Sequence, residues 1–127
     1  MEKKQKNKTI TLPSGRIVPA LGLGMWYFGE DAGAYFKETA LIRRALEIGY
    51  RVFDTAEMYG NGGAEEVLGE AVSDCRKEVF LTSKVSPEFT TYEQIIESCD
   101  KSLERLQTDY LDMYLLHWGM SRNGHPE

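Results

Sequence analysis

Short apolar strands alternate with amphipathic helices along most of this sequence. Helical spacing of apolar residues runs over 39–48, 64–72 and 92–106, and the strand-like segments between them end at Asp54, Lys84 and His117. These strand ends are 30 and 33 residues apart, which matches the roughly 30 or more residues of one βαβ repeat. The pattern predicts an α/β fold built on a parallel sheet.

Two further strand signals precede the repeats. Segments 9–12 and 16–18 flank Pro13-Ser14-Gly15 and predict a β-hairpin, with Pro19 ending it. Segment 20–24 then reads as a short strand that leads into the aromatic residues Trp26, Tyr27 and Phe28. At this level a doubly wound sheet and a β/α barrel are both compatible with the pattern.

Composition and charge exclude several classes of protein. The 127 residues suffice for one domain with a core. The net charge of −5 argues against a general nucleic-acid binder. No apolar run approaches the ~20 residues of a membrane span, and the basic start lacks the apolar segment of a secretory signal. Cys75 and Cys99 have neither metal-site spacing nor the number expected of a disulfide framework. We therefore expect a cytoplasmic protein that binds no metal, nucleic acid or membrane.

Titratable residues lie at successive strand ends. Asp54, Lys84 and His117 each finish a strand, and Tyr59 follows the first of them. Each residue alone has an ordinary explanation: a loop cap, a surface lysine, a core histidine and an amphipathic filler. In parallel α/β folds, however, the C-terminal strand edge is where sites are built. Their joint placement therefore predicts one functional site.

The four residue types suit proton delivery. A free phenol loses its proton only near pH ~10, which makes it a poor acid at neutral pH. A lysine ammonium about 4 Å away would favour the phenolate by roughly 4 kcal/mol at an effective dielectric of ~20. Asp54 would hold Lys84 in place, and His117 could orient a carbonyl oxygen by a hydrogen bond. No nucleophile–base pair or metal-ligand spacing accompanies them, so acyl transfer and metallohydrolysis fit poorly.

Four motifs in order resemble the signatures of the aldo-keto reductases. They are LGLGMW (21–26), FDTAEMYG (53–60), LTSKV (81–85) and YLLHW (114–118), and the resemblance extends from Thr9 to Trp118. Within that family, WYFGED (26–31) and AEMY (56–59) most resemble the bacterial methylglyoxal and small-aldehyde reductases.

The resemblance implies the N-terminal half of a (β/α)8 TIM barrel preceded by a β-hairpin. It also implies NADPH-dependent reduction of an aldehyde or ketone. Tyr59 would be the general acid, Lys84 and Asp54 its tuning pair, and His117 the orienting group. Gly24 and Met25, with Asp54, would approach the cofactor, and Trp26 and Trp118 would line the substrate pocket.

A whole barrel needs ~250 residues, and this sequence has 127. The resemblance implies that groups gripping the nicotinamide amide and the 2′-phosphate lie in the half not matched here. We therefore expect three parts: a basic, disordered extension at 1–8, a half-barrel at 9–118 and a non-family tail at 119–127. We also expect weak NADPH binding by the isolated chain and possible self-association through its open edge. A truncated half-barrel that is inactive alone, or that serves only as an interaction module, is the alternative to a reductase.

Overall fold

The computed structural model describes residues 8–118. A two-stranded hairpin comes first and is followed by a four-stranded sheet with three α-helices. The strands are β1 (Thr9–Thr11), β2 (Ile17–Pro19), β3 (Gly22–Gly24), β4 (Val52–Asp54), β5 (Phe80–Val85) and β6 (Met113–Leu116). The helices are α1 (Tyr35–Ile48), α2 (Gly63–Val72) and α3 (Tyr92–Leu106), with short 3₁₀ turns at Ala32–Ala34, Tyr59–Gly62 and Arg76–Glu78. The extension and the tail expected at the two ends lie outside the described residues, apart from Lys8.

The four-stranded sheet is parallel, and its order follows the sequence, β3-β4-β5-β6. Gly24 pairs with Asp54, and Lys84 pairs with Leu115. Because all four strands run in one direction, their C-terminal ends meet at one edge of the sheet. The predicted parallel α/β architecture is confirmed.

The core lies between the sheet and its helices. Phe53 and Leu81 of the sheet pack with Val67 and Leu68 of α2, and all four are at most 1% exposed. Burial of such a side chain stabilises the fold by about 1.5–3 kcal/mol. The middle strands β4 and β5 are therefore fixed by packing, and with them the residues at their ends.

Helix boundaries follow local signals, but α2 begins one residue and α1 four residues before the predicted start. Helix α3 begins after Thr91, which forms a capping box with Gln94, and α1 ends at Gly49, whose φ is 111°. The prediction started α1 at Thr39, but the helix begins at Tyr35. Tyr35 packs against the core and so extends the apolar stripe by one turn. A 3₁₀ turn capped by Asp31 leads into it.

The hairpin is attached at the opposite, N-terminal end of the sheet. The Arg16 guanidinium forms an ion pair with Asp112 and donates to the carbonyl of Val79 at 3.1 Å. Arg76 bonds the same Asp112 carboxylate at 3.0 Å. The two arginines therefore join the hairpin to the segments that precede β5 and β6. Within residues 8–118 no helix is both long and apolar enough to cross a membrane.

Candidate active site

The C-terminal edge of the sheet brings together the four predicted site residues. Asp54 is the last residue of β4, Lys84 lies near the end of β5, and His117 directly follows β6. Tyr59 begins the 3₁₀ turn between β4 and α2. Residues that are far apart in sequence thus become neighbours because successive parallel strands end side by side.

Lys84 is the centre of the site. Its Nζ donates to Asp54 Oδ1 at 2.9 Å and to the Thr55 backbone carbonyl at 2.7 Å. The Lys84 side chain is 14% exposed and that of Asp54 is 48% exposed. The lysine is therefore held by two acceptors in a largely enclosed place, while its carboxylate partner still faces solvent.

Tyr59 lies against both Lys84 and His117. Lys84 Nζ is 5.1 Å from the centre of the Tyr59 ring. The Tyr59 and His117 rings meet edge to face, with centroids 5.7 Å apart and planes at 85°. The Tyr59 ring thus lies close to both a cation and an imidazole, which are groups that can take part in proton transfer.

His117 is buried and held by its backbone. The His117 backbone N–H donates to the Val85 carbonyl at 3.0 Å, which continues the pairing of β5 with β6 by one residue beyond β6. Burial lowers the pKa of His117, and the Lys84 ammonium lowers it further, although the Asp54 and Glu57 carboxylates oppose this. The imidazole is therefore neutral at pH 7. Its Nδ1 is buried without a hydrogen-bond partner in the part of the chain that the structure describes.

Gly24 and Met25 differ in what they offer a cofactor. Gly24 ends β3, and a Cβ built there would meet no atom within 4 Å, so its backbone borders open space. The Met25 side chain is fully buried, and the Met25 N–H donates to the Asp54 carbonyl at 2.8 Å. Met25 therefore anchors the segment to β4, whereas Gly24 leaves the adjoining surface accessible.

The two tryptophans proposed to line a pocket are both exposed. Trp26 is 64% exposed and stacks on Tyr27 with ring centroids 4.6 Å apart. Trp118 is 67% exposed, and its ring centroid lies 4.8 Å from that of His117. Trp118 is thus beside the site, and Trp26 projects from the loop after β3.

A glycine junction, formed by Gly29, Gly60 and Gly63, joins that loop to the segment that carries Tyr59. A Cβ at Gly29 would come within 2.0 Å of the Gly63 backbone, and one at Gly60 within 2.7 Å of the Gly29 backbone. Glu38 of α1 also accepts a hydrogen bond from the Gly29 N–H at 2.7 Å. The main chains of the two loops are therefore in direct contact.

Sequence reasoning missed two contributors. The Thr55 carbonyl has no side-chain signature, so its bond to Lys84 emerges only from the fold. Glu65 could have been recognised from the sequence, because it shares the helical face of Leu68 and Val72, where an apolar residue is expected. Within residues 8–118, no group of three or more His, Cys, Asp or Glu could hold a metal ion.

Similarity to known proteins agrees with this geometry. The family model described as "Aldo/keto reductase family" matches residues 20–121. The methylglyoxal reductase YeaE of Escherichia coli (strain K12) is 48% identical over 91% of this chain and 41% of its own length. The glyoxal reductase of Bacillus subtilis (strain 168) is 41% identical over 87% of this chain and 38% of its own length.

Solved structures give the same result. An aldo-keto reductase from Klebsiella pneumoniae in complex with NADPH superposes with a TM-score of 0.83 and 50% identity, over 88% of this chain and 39% of that chain. The fold is thus that of a partial barrel, and the chain spans only 38–41% of the two curated relatives above. The family model covers most of the sequence and the identities are high, so the chain belongs to the aldo/keto reductase family.

Proposed function

We propose that this chain carries the proton-donating part of an NADPH-dependent reductase that converts small aldehydes or ketones to alcohols. The observation that carries the proposal is the Lys84 ammonium, held by Asp54 at 2.9 Å and lying 5.1 Å from the Tyr59 ring centre. The names of the relatives, methylglyoxal reductase and glyoxal reductase, indicate the substrate class.

Tyr59 would act as the general acid. When its proton leaves, negative charge develops on the phenol oxygen, and the fixed ammonium of Lys84 stabilises it. Because Asp54 and the Thr55 carbonyl already hold Lys84, little reorganisation is needed at the moment of transfer.

His117 would orient the substrate carbonyl. Its lowered pKa keeps the imidazole neutral at pH 7, so one ring nitrogen carries a proton and can donate to an oxygen without adding a second cation. The imidazole ring meets the Tyr59 ring edge to face, with centroids 5.7 Å apart. Donors from His117 and Tyr59 could then meet at one carbonyl oxygen.

Part of the nicotinamide cofactor would lie beside these residues. The half-exposed Asp54 carboxylate can accept hydrogen bonds from sugar hydroxyls, and Gly24 lets the cofactor approach the backbone without a side chain in between. When bound, NADPH would supply the hydride. Because the chain spans 38–41% of its curated relatives, we expect this subset of contacts to bind NADPH weakly.

The proposal is tested by NADPH oxidation with methylglyoxal, comparing the 127-residue chain with Tyr59→Phe. We expect a measurable rate that falls by about 10²- to 10⁴-fold in the variant, because a general acid contributes that much. Tyr92→Phe is the matched control, since this tyrosine is 77% exposed on α3. Equal rates for the wild type and Tyr59→Phe would contradict the proposal.

A second function, self-association, is favoured by the edge strand β6. Met113, Leu115 and Leu116 are 40%, 41% and 52% exposed, whereas a parallel sheet normally has both faces covered. We propose that a second copy of the chain pairs along this edge. Light scattering on the purified chain tests this, because a monomer at micromolar concentration would rule it out.

A further inference from the structure

A buried carboxylate behind the sheet is not used by the chemistry described above. Glu65, in the first turn of α2, has a fully buried side chain. Oε1 accepts a hydrogen bond from Ser83 Oγ at 2.5 Å, and Oε2 accepts one from Arg105 Nε at 2.6 Å. Each oxygen thus binds a different element, one on β5 and one on α3.

The two ends of this network lie next to the proposed active site. Ser83 directly precedes Lys84 on β5, and adjacent strand residues point to opposite faces, so Ser83 meets α2 while Lys84 meets Asp54. Glu65 lies in the first turn of the helix that follows the 3₁₀ turn Tyr59–Gly62. The Glu65–Ser83 bond therefore connects the segment bearing Tyr59 to the strand bearing Lys84.

Arg105 supports the same segment from α3. A Cβ at Gly62 would lie 2.8 Å from Arg105 Cδ, so the arginine stem lies against the end of the turn that carries Tyr59. Gly62 has a φ of 94°, a conformation that glycine adopts readily. Arg105 thus touches the turn and neutralises Glu65 at the same time.

Packing alone does not call for a charged pair here. A fully buried carboxylate loses its hydration, and replacing a buried ion pair with apolar residues of similar size is often neutral or stabilising. The pair adds a geometric constraint, because a carboxylate with one partner on each oxygen fixes the relative position of α2, β5 and α3.

We propose that Glu65, held by Arg105, is a positioning residue that sets the placement of Tyr59 relative to Lys84 and His117 through its bond to Ser83. Its catalytic meaning rests on the proposed reductase function, whereas the placement itself can be measured without any activity.

Two variants break the connection in different ways. Ser83→Ala removes the bond to β5 and leaves the ion pair intact. The double variant Glu65→Leu/Arg105→Leu replaces the pair with apolar side chains and keeps the site filled. Glu66→Gln is the control, because it removes the neighbouring carboxylate of the same helical turn, which is exposed.

The readout is nuclear magnetic resonance of His117, one of two histidines in the sequence. The groups that set its titration are Lys84, Asp54 and Glu57, together with burial. In both variants we expect the pKa of His117 to rise toward its ordinary value of 6.5 and the cross-peak between the Tyr59 and His117 rings to weaken. Glu66→Gln should change neither.

Kinetics add a second readout. With Tyr59 misplaced, kcat for methylglyoxal should fall by up to about 100-fold, since a misplacement of about 1 Å can cost that much. The KM for NADPH should stay unchanged. If the wild-type rate does not exceed that of Tyr59→Phe, the proposed function fails. The nuclear magnetic resonance measurements alone then test the positioning role of Glu65. The inference is wrong if Ser83→Ala leaves the pKa of His117 and its cross-peak with Tyr59 the same as in Glu66→Gln. The same result in the folded double variant would also show that Glu65 is merely structural.

Discussion

His117 links the site to the stability of the fold. Burial and the charge of Lys84 lower the pKa of His117 in the folded chain, below the ordinary 6.5 of an unfolded histidine. Between these two values the unfolded chain binds more protons than the folded chain. The histidine therefore contributes stability that is complete above about pH 6.5 and is lost as the pH falls toward the lowered pKa.

We expect His117→Asn to remove this pH dependence. The difference in the free energy of unfolding between wild type and variant should shrink as the pH is lowered from 7 through 6.5, and level off below the pKa of folded His117. Chemical denaturation at a series of pH values measures it, and taking the difference cancels His125, which both chains carry. A difference that does not vary with pH would contradict this explanation.

The grouping of the site residues could be predicted because it depends on topology. Asp54, Lys84 and His117 lie at or next to the ends of consecutive parallel strands, so their proximity follows once the strands are recognised. The acceptors of Lys84 could not all be predicted, because the Thr55 carbonyl is a backbone group that every residue possesses. The roles assigned to the four side chains and to Gly24, Met25, Trp26 and Trp118 stay predictions until activity is measured.

Among the elements, α3 has the clearest local determinants. Thr91 Oγ1 accepts from the Gln94 N–H at 3.3 Å, and the Gln94 side chain accepts from the Thr91 N–H at 3.1 Å. These two bonds satisfy backbone donors that the first turn of a helix otherwise leaves unpaired. The sequence pattern predicted this helix with the same bounds.

We expect Thr91→Ala to lower the free energy of unfolding by about 1 kcal/mol, the usual effect of losing such a cap. Urea denaturation measures it, with Thr90→Ala as the control, since the Thr90 side chain forms none of these bonds. A loss of equal size in both variants would assign the effect to the loop instead of the cap.

The short strands were harder to delimit than α3. The residues from Leu111 to Leu116 predict one strand, but β6 begins at Met113. The Asp112 backbone N–H still donates to the Leu81 carbonyl at 3.0 Å, whereas the Leu81 N–H donates to the Asp112 carboxylate at 2.8 Å. A side chain thus occupies a donor that a longer strand would have paired with backbone. This use of a side chain in place of a backbone acceptor depends on a distant strand and on Arg76, which also binds Asp112. The alternation of apolar residues along the sequence therefore does not predict it.

At the scale of the whole molecule, the four-stranded sheet of residues 8–118 has an edge at β3 and another at β6, whereas a closed barrel has none. Strand β6 pairs with β5 on one side, and within the described residues no strand pairs with its other side. Exposed apolar side chains and unpaired backbone groups together favour association between chains.

We expect Leu115→Lys to shift the chain toward the monomer, because a charge on the face of β6 must lose its hydration when a second copy covers it. Light scattering across a concentration series measures the shift. Leu41→Lys is the control, since Leu41 is 52% exposed on α1. Equal effects of the two variants would indicate nonspecific adhesion instead of pairing at β6.

The contact among Gly29, Gly60 and Gly63 has a consequence for redesigning selectivity. The loop bearing Trp26 is anchored by main-chain atoms and by Glu38, and its exposed aromatic rings take no part in that attachment. Libraries that vary Trp26 and Tyr27 should therefore change the exposed surface of this loop while its backbone attachment stays where it is.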